Sequence, residues 1–517
     1  MSESLRFERN VKTPFQDIYI REKLVYNKHV FQKHIPSVGC ETILVNSNPE
    51  TVSTDFNISD KLYFEPLTEE EVYNIISLEQ PEGVILQFGG QTAVKLSKFL
   101  LEKDVPILGT APEAIDAAED REKFEAILEQ YAIKRPIGKG VWNVEQGEAF
   151  AHEAGYPVLV RPSYVLGGQG MEICHGEEEL NYYLKNAFMK DQKTPVLIDQ
   201  YIDGMELEVD AICDGEDILV PGIMEHLEHA GVHSGDSVSI YPPVNVSLEM
   251  KERVLQVVRT LSKALKIVGM MNLQFIVKGE ELYIIEVNPR ASRTVPYMTK
   301  VTGLPVIAIA TQVMLGRKLR EMPYGIDLYK EIEGSTVKVP VFSTEKLPQV
   351  EASLGPEMRS TGEVLGAGHT LEEALYKGFL GAGIKLRNER KNIAVTLGDA
   401  DKEKFEPLAR MMKTLGFCFY ATEGTRRKLY EWGIESELVH KLNEEKPSIL
   451  DLIEQQKLDM ILNTPTKGND VKRDGFRIRR AAIESKVELM TSLDKMSAYL
   501  RILSMDIEGT SISLYKL

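Results

Sequence analysis

The chain has 517 residues, 43% of them hydrophobic and 27% charged, which is ordinary for a globular protein of two to four domains. Its net charge of −17 excludes a nucleic-acid footprint, and four scattered cysteines (Cys40, Cys174, Cys213, Cys418) with no CxxC pair argue against a disulfide framework or a zinc site. No apolar run reaches the roughly 18 to 20 residues that span a bilayer, and the N-terminus lacks an apolar signal-peptide core, so a cytoplasmic location is expected.

Residues 1–38 contain no glycine, are locally basic in an acidic protein, and show no clean period. The character changes at Gly39-Cys40. Thr42 to Val45 reads as a strand, followed by the loop Asn46 to Thr51. Val84 to Phe88 is a second strand, ending in Gly89-Gly-Gln-Thr92 before the helical pattern Ala93 to Leu101, and Val105 to Leu108 is a third. Strands alternating with helices imply a parallel α/β layer whose working edge lies at the strand C-termini, where Asn46 and the Gly89-Gly90 turn fall. Glycines there let backbone N–H groups approach an anion, although a plain tight turn has the same composition.

Farther along, Val158 to Arg161 is an apolar strand with a cation at its end, a charge that needs a partner such as phosphate. Ser163 to Gly170 is a glycine-rich loop of the sort that closes over phosphates. Val196 to Asp199 and Glu206 to Asp210 read as strands around a short loop, a place where backbone groups could read a base and Glu206 a ribose. His226, His229 and His233 cluster in sequence, but the stretch is too glycine-rich for a helix with an HExxH-type zinc site and reads as a polar loop beside a phosphate site.

The densest chemistry follows. Met271 to Val277 and Leu282 to Ile285 read as buried strands, and the second runs into Glu286-Val-Asn-Pro-Arg290 and then Arg293. Glu286 and Asn288, two apart on a strand, share a face, and Gln274 could add an oxygen from the next strand. Hard oxygen donors of this kind suit Mg²⁺, which commonly shares them with nucleotide phosphates, and two arginines just beyond could hold an anion against it. A solvated acid at a strand end is the plainer alternative. From Lys391 onward, strands at Asn392 to Leu397, Phe417 to Thr422, Met460 to Asn463 and Val487 to Thr491 alternate with helices at Lys402 to Leu415 and Ile449 to Gln456, a small doubly wound domain. Thr422 to Thr425 and Asn463 to Gly468 both run from a strand end into a turn, which points to a phosphorylated ligand or to ordinary βα turn chemistry.

Asn46 to Asp55, Gln87 to Thr92, Val160 to Gly168, Ala230 to Asp236, Glu286 to Arg293 and Leu354 to Gly362 together resemble, in order, the large subunit of carbamoyl phosphate synthetase, over roughly residues 40 to 500. The version of the loop at Tyr164 to Gly168 and the regulatory tail select its C-terminal half. The resemblance implies an α/β and α+β multidomain chain. Residues 1–38 would be an atypical segment, 39–119 an incomplete pre-ATP-grasp parallel layer, 120–384 an ATP-grasp domain, and 385–517 a doubly wound methylglyoxal-synthase-like regulatory domain. It implies an ATP-dependent ligase that phosphorylates carbamate to carbamoyl phosphate for pyrimidine and arginine biosynthesis. Another ATP-grasp carboxylate ligase, or a nucleotide-binding fragment without turnover, are the other readings.

Carried over residue by residue, Gln274, Glu286 and Asn288 would hold Mg²⁺ or Mn²⁺, and Arg121 and Arg161 would contact ATP phosphates. Gln200, Ile202 and Glu206 would line the adenosine, with Gly231, Val232, His233 and Ser234 completing the nucleotide pocket. Arg290 and Arg293, with Asn288, would serve carbamate and the transferring phosphoryl group. Thr422, Thr425, Lys441 and Asn463 would bind a nucleotide effector, a uridylate if control follows the pyrimidine pattern. The expected partners are a glutaminase small subunit and an N-terminal synthetase half, since only one Glu-x-Asn-Pro-Arg motif occurs here and no internal repeat does. Three departures stand out. The family's first strand and glycine-rich loop have no counterpart in residues 1–38, which points to foreign sequence and a sheet lacking a strand; Gln169 stands where many relatives carry arginine; and Pro465 interrupts the turn after Asn463.

Overall fold

The computed structural model describes residues 18–23, 41–162, 170–190, 194–343, 352–386, 391–442, 444–464 and 474–505. The glycine-rich loop with Gln169, and Pro465, lie outside them. The chain forms two units, one of Met1–Arg135, Glu206–Glu225 and Tyr241–Glu333, the other of Pro136–Met205, His226–Ile240 and Gly334–Leu517. Among the described residues, no helix is long and apolar enough to cross a membrane.

The first unit begins with a four-stranded sheet in the order Lys61–Tyr63, Glu41–Val45, Ile18–Lys23, Gly83–Ile85. The missing strand expected from the sequence is therefore corrected: Ile18–Lys23 fills the gap, antiparallel to both neighbours, while Glu41–Val45 and Lys61–Tyr63 are parallel. The physical reason is that two strand edges with unpaired N–H and C=O groups accept any extended segment, and backbone pairing alone does not dictate its direction. Val105 to Leu108 forms only a bridge, Val84 to Ile107, in place of a full strand. The helical pattern Ala93 to Leu101 is split into Gly90–Val94 and Ser97–Glu102. Helix Glu69–Glu79 has Thr68 as its N-cap and three glutamates in its first turn, which complement the helix dipole. Its buried Val72, Ile75 and Ile76 pack with Ile43, Val45, Val84, Leu96 and Leu100.

The rest of this unit carries the long hairpin Val268–Lys278 and Glu281–Asn288, with Met205–Asp214 on the other side of Val268–Lys278. Helix Leu248–Ala264, capped by Ser247 on Met250 N, buries a stripe of Val254, Leu255, Val258 and Leu261. Helix Val306–Met314 is buried on nearly every side and packs with Val295, Leu304 and Met270.

In the second unit, Gly138–Val141, Val196–Gln200, Val158–Pro162 and Glu172–Cys174 form an antiparallel sheet in that order. Helices Val144–Ala154 and Glu177–Lys190 share its core of Phe150, Val158, Val160, Leu180, Leu184 and Ile198. The hairpin Ser335–Val341 and Gly362–Gly368 packs against helix Leu371–Gly381. The C-terminal sheet is fully parallel, in the order Ser436–Leu438, Cys418–Ala421, Asn392–Thr396, Met460–Asn463, Glu488–Met490. This is the doubly wound arrangement expected, with Ser436–Leu438 added. Its strand order reverses between Asn392–Thr396 and Met460–Asn463, where open α/β sheets bind ligands.

Candidate functional site

Two strands build the metal-binding candidate in the first unit. In the hairpin register, Gln274 lies opposite Glu286 and Asn272 opposite Asn288. The expected trio Gln274, Glu286 and Asn288 is thus brought onto one face, as period-2 alternation requires. The carboxylate of Glu286 is exposed and accepts from Asn288 Nδ2 at 2.8 Å. One carboxylate and two amide oxygens in this register are a donor set that fits Mg²⁺ or Mn²⁺.

Arg290 follows on the turn. Its Nε donates to Gln91 Oε1 at 3.1 Å and its Nη2 to Asn288 Oδ1 at 3.2 Å, so the guanidinium is held beside the oxygen donors. Arg293 is exposed, between buried Ser292 and Thr294. Beneath the turn, the buried Gln87 amide nitrogen lies 2.9 Å from Pro289 O and from Met270 O and 3.0 Å from Thr110 Oγ1, three acceptors for its two N–H bonds. Gln87 and Gln91 lie in the Gln87 to Thr92 motif, but no local pattern reveals that they support Arg290.

A buried polar cluster beside this trio, joined to it through Asn272 opposite Asn288, was not anticipated. Glu208, Asp210 and Asn272 are each 2% exposed. Burial, and after it the neighbouring Glu208 carboxylate, push the Asp210 carboxyl above the ordinary carboxylate range. The signal was legible as alternation: Glu206, Glu208 and Asp210 are spaced by two on one strand, and only Glu206 was singled out. Glu206 itself is buried at the start of that strand. Arg121 starts helix Arg121–Gln130 and its Nε donates to Glu125 at 2.8 Å, an ion pair within its own helix.

The second unit holds the other nucleotide candidates. Arg161 Nε donates to Asp199 Oδ2 at 3.0 Å, so its charge has a protein partner as well as any ligand. Gln200 donates to Ala154 O at 3.2 Å, and Ile202 is buried. Gly231 has φ +102°, and a Cβ there would meet Ile173 at 2.7 Å and the Tyr201 ring at 3.0 Å, so only glycine fits this turn. Val232 is half-buried beside it. The next residues are fastened to the Leu354 to Gly362 motif. His233 N donates to Gly355 O at 2.8 Å, Lys338 Nζ to Ser234 O at 2.8 Å, and the fully buried Asp236 accepts from Arg359 N and Ser360 N at 2.8 Å each.

The three histidines do not converge. His226 is buried on strand Ile223–His229, His229 is exposed and paired with Asp494 at 3.1 Å, and His233 Nδ1 accepts from Gly235 N.

The effector candidates gather at the C-terminal edge of the parallel sheet. Thr422 is the N-cap of helix Glu423–Glu431, Thr425 is buried in its first turn, and Asn463 ends a central strand. Lys441 lies in a loop, its N–H donating to Glu444. Two further residues belong there. Buried Arg479 donates to Asn463 Oδ1, and Thr464 Oγ1 accepts from Gly398 N at 3.0 Å at the start of helix Asp399–Thr414.

Comparison with known proteins follows the same order along the chain. The carbamoyl phosphate synthase preATP-grasp domain matches residues 26–117, the carbamoyl-phosphate synthase L chain ATP binding domain matches 120–322, and the MGS-like domain matches 404–491. The chain is 59% identical over 485 residues to the carbamoyl phosphate synthase large chain of Clostridium botulinum (strain Langeland), covering 94% of this chain and 45% of that one. It is 60% identical over 466 residues to the same protein of Clostridium beijerinckii, covering 90% and 44%.

The chain belongs to the carbamoyl phosphate synthase large-chain family.

It therefore spans less than half the length of these relatives. The three-domain α/β and α+β organisation read from the motifs is that of the family, and the first match begins inside the segment set apart as atypical. Among solved structures, the biotin carboxylase domain of Hydrogenobacter thermophilus 2-oxoglutarate carboxylase, in complex with MgADP, ADP and bicarbonate, is similar with a TM-score of 0.52 at 19% identity, over 64% of this chain and 82% of that one. Campylobacter jejuni biotin carboxylase, in a β,γ-ATP complex, gives 0.51 at 16% identity, over 65% and 83%. At such identity the likeness concerns the fold alone.

Proposed function

We propose that this chain is an ATP-dependent ligase unit that phosphorylates carbamate, giving carbamoyl phosphate and ADP. The observation that carries the proposal is the face of Gln274, Glu286 and Asn288 with Arg290 tied to Asn288 beside it. Those three oxygen donors would hold Mg²⁺ or Mn²⁺, which would neutralise charge on the phosphate oxygens when bound. In the transfer, a carbamate oxygen attacks the γ-phosphorus and the bond to the β-phosphate oxygen of ADP breaks. Arg290 has guanidinium N–H groups beyond those bound to Gln91 and Asn288, and these would orient carbamate. Arg293, exposed on the same turn, would meet the transferring phosphoryl group. The protein's task is positioning and charge compensation, and no side-chain nucleophile is needed. Carbamate-dependent ADP release with Mg²⁺ tests this: release that is indifferent to carbamate, or equal with other carboxylates, goes against it.

Arg121, Arg161, Gln200, Ile202, Glu206 and Gly231 to Ser234 would bind ATP, within an ATP-grasp domain of residues 120–384. The clamp on this turn yields a prediction. Asp236→Asn replaces an acceptor oxygen by an NH₂ group facing a backbone N–H, a loss of roughly 1–3 kcal/mol for a buried pair. ADP affinity should fall about tenfold in a calorimetric titration; unchanged affinity would remove the clamp from nucleotide binding.

The regulatory domain, residues 385–517, would bind a uridylate through Thr422, Thr425, Lys441 and Asn463. Thr425→Ala should weaken uridine monophosphate binding about tenfold, the value of one hydrogen bond to a charged group, and an unaltered isotherm would clear Thr425 of that role. A glutaminase small subunit and an N-terminal synthetase half are the proposed partners, serving pyrimidine and arginine biosynthesis. Co-elution with both on gel filtration is the expected result, and separate elution the contrary one.

A further inference from the structure

The Asp210 carboxylate is buried and meets Asn272, which lies opposite Asn288 on the face that carries Gln274 and Glu286. Its surroundings supply hydrogen-bond donors to both of its oxygens. Oδ2 accepts from Ser292 Oγ at 2.6 Å and from Thr294 Oγ1 at 2.7 Å, the two residues that bracket Arg293. Oδ1 accepts from Asn272 Nδ2 at 3.3 Å, and that same amide donates to Glu208 Oε1 at 3.0 Å. Asn272 has one donor end and one acceptor end. Two carboxylates on one side fix the donor end toward them, which turns Oδ1 toward Asn288, whose Nδ2 lies 3.5 Å away. Asn288 in turn bonds Glu286 and Arg290.

We infer that Asp210 is a positioning residue for the phosphoryl-transfer site, setting the Asn288 amide through Asn272 and the Arg293 turn through Ser292 and Thr294. This rests on the function proposed above. Burying a carboxylate is expensive, and a stitch between strand and turn could be made from neutral groups alone. What an anion adds is an acceptor that every one of its neighbours must donate to, so each amide and hydroxyl has one permitted orientation. Partners one step behind metal ligands do this elsewhere, and losing one typically weakens metal binding or activity ~10- to 100-fold.

The test uses the full chain, its Asp210→Asn variant and the Ser292→Ala/Thr294→Ala double variant. Melting temperature, Mn²⁺ affinity with ADP present (by electron paramagnetic resonance), and kcat and KM for carbamoyl phosphate in ATP formation are measured for each. Asp210→Asn keeps the shape but replaces one acceptor oxygen by an NH₂, so the Ser292 and Thr294 hydroxyls or the Asn272 amide must turn to accept from it. It should fold and bind Mn²⁺ at least about tenfold more weakly. The double variant should raise KM for carbamoyl phosphate several-fold while binding Mn²⁺ like wild type, a split that loss of stability alone does not produce. A folded Asp210→Asn protein with wild-type Mn²⁺ affinity overturns the inference, as does a folded double variant with wild-type KM. If Asp210→Asn does not fold, the double variant decides. If wild type binds Mn²⁺ and ADP but forms no ATP, the carbamate proposal fails while the Mn²⁺ comparison still decides the role of Asp210.

Discussion

Glu286→Ala should abolish Mg²⁺-dependent ATP turnover while leaving the fold intact. Glu286 supplies the one carboxylate of the donor face, opposite Gln274 and two residues from Asn288. Without it, two neutral amide oxygens remain, and a small, strongly hydrated dication has little reason to exchange water for them. Asn288 also loses the nearer of the two acceptors of its Nδ2, so the variant disturbs a second donor. A loss of at least about a hundredfold is expected, since removing even an outer partner of a metal ligand reaches that size. The side chain is exposed and fills no part of the core, so stability should move by no more than about 0.5 kcal/mol. Steady-state turnover and a melting curve check both halves. Wild-type turnover would show the metal assignment to be wrong; lost turnover with a large fall in melting temperature would make Glu286 a structural residue.

The second large effect concerns the fold. Gly366→Ala should destabilise the second unit by about 3 kcal/mol or more, the upper end for forcing extra volume into a packed interior. A Cβ at Gly366 would stand 2.1 Å from Ala374 O and 2.6 Å from Gly378 N, backbone atoms of helix Leu371–Gly381. No rotamer change relieves a clash with backbone, so the helix would have to lift from its strand. That helix carries Ala374, Leu375 and Phe379, all at 0% exposure, into a core shared with Val337, Val339 and Phe405. The opposing Gly378 is tight in the same sense, with a Cβ position 2.7 Å from Val339. Urea unfolding followed by circular dichroism measures the change. A midpoint within error of wild type would mean that helix and strand separate cheaply, contrary to their close approach.

Much of this architecture was legible before any coordinates. Strong apolar runs such as Met460 to Asn463 and Val196 to Asp199 became strands within a residue or so of their expected ends, the first because it is buried on both faces of a parallel sheet and the second because Val196 and Ile198 alternate into a core. The pairing of Glu286 and Asn288 on one face followed from alternation alone. What escaped notice had weaker local signals. Ile18–Lys23 is held by backbone pairing to two strands, a long-range partnership with no periodicity to announce it. Ser436–Leu438 is a three-residue edge strand. Arg479 meets Asn463 across a helix and a strand sixteen residues apart, a contact set by tertiary packing. Asp210 lay in plain alternation with Glu206 and Glu208, but its partners Asn272, Ser292 and Thr294 come from segments far along the chain.

The most direct test of the proposed function is ATP formation from ADP and carbamoyl phosphate by the purified chain with Mg²⁺. Under the proposed function this reverse reaction would use the metal and phosphate site of Gln274, Glu286, Asn288, Arg290 and Arg293 together with the proposed nucleotide-binding residues. ATP that accumulates with both substrates, and requires Mg²⁺, is the expected result. No ATP from a chain shown to be folded and to bind ADP would contradict carbamate phosphorylation by this chain.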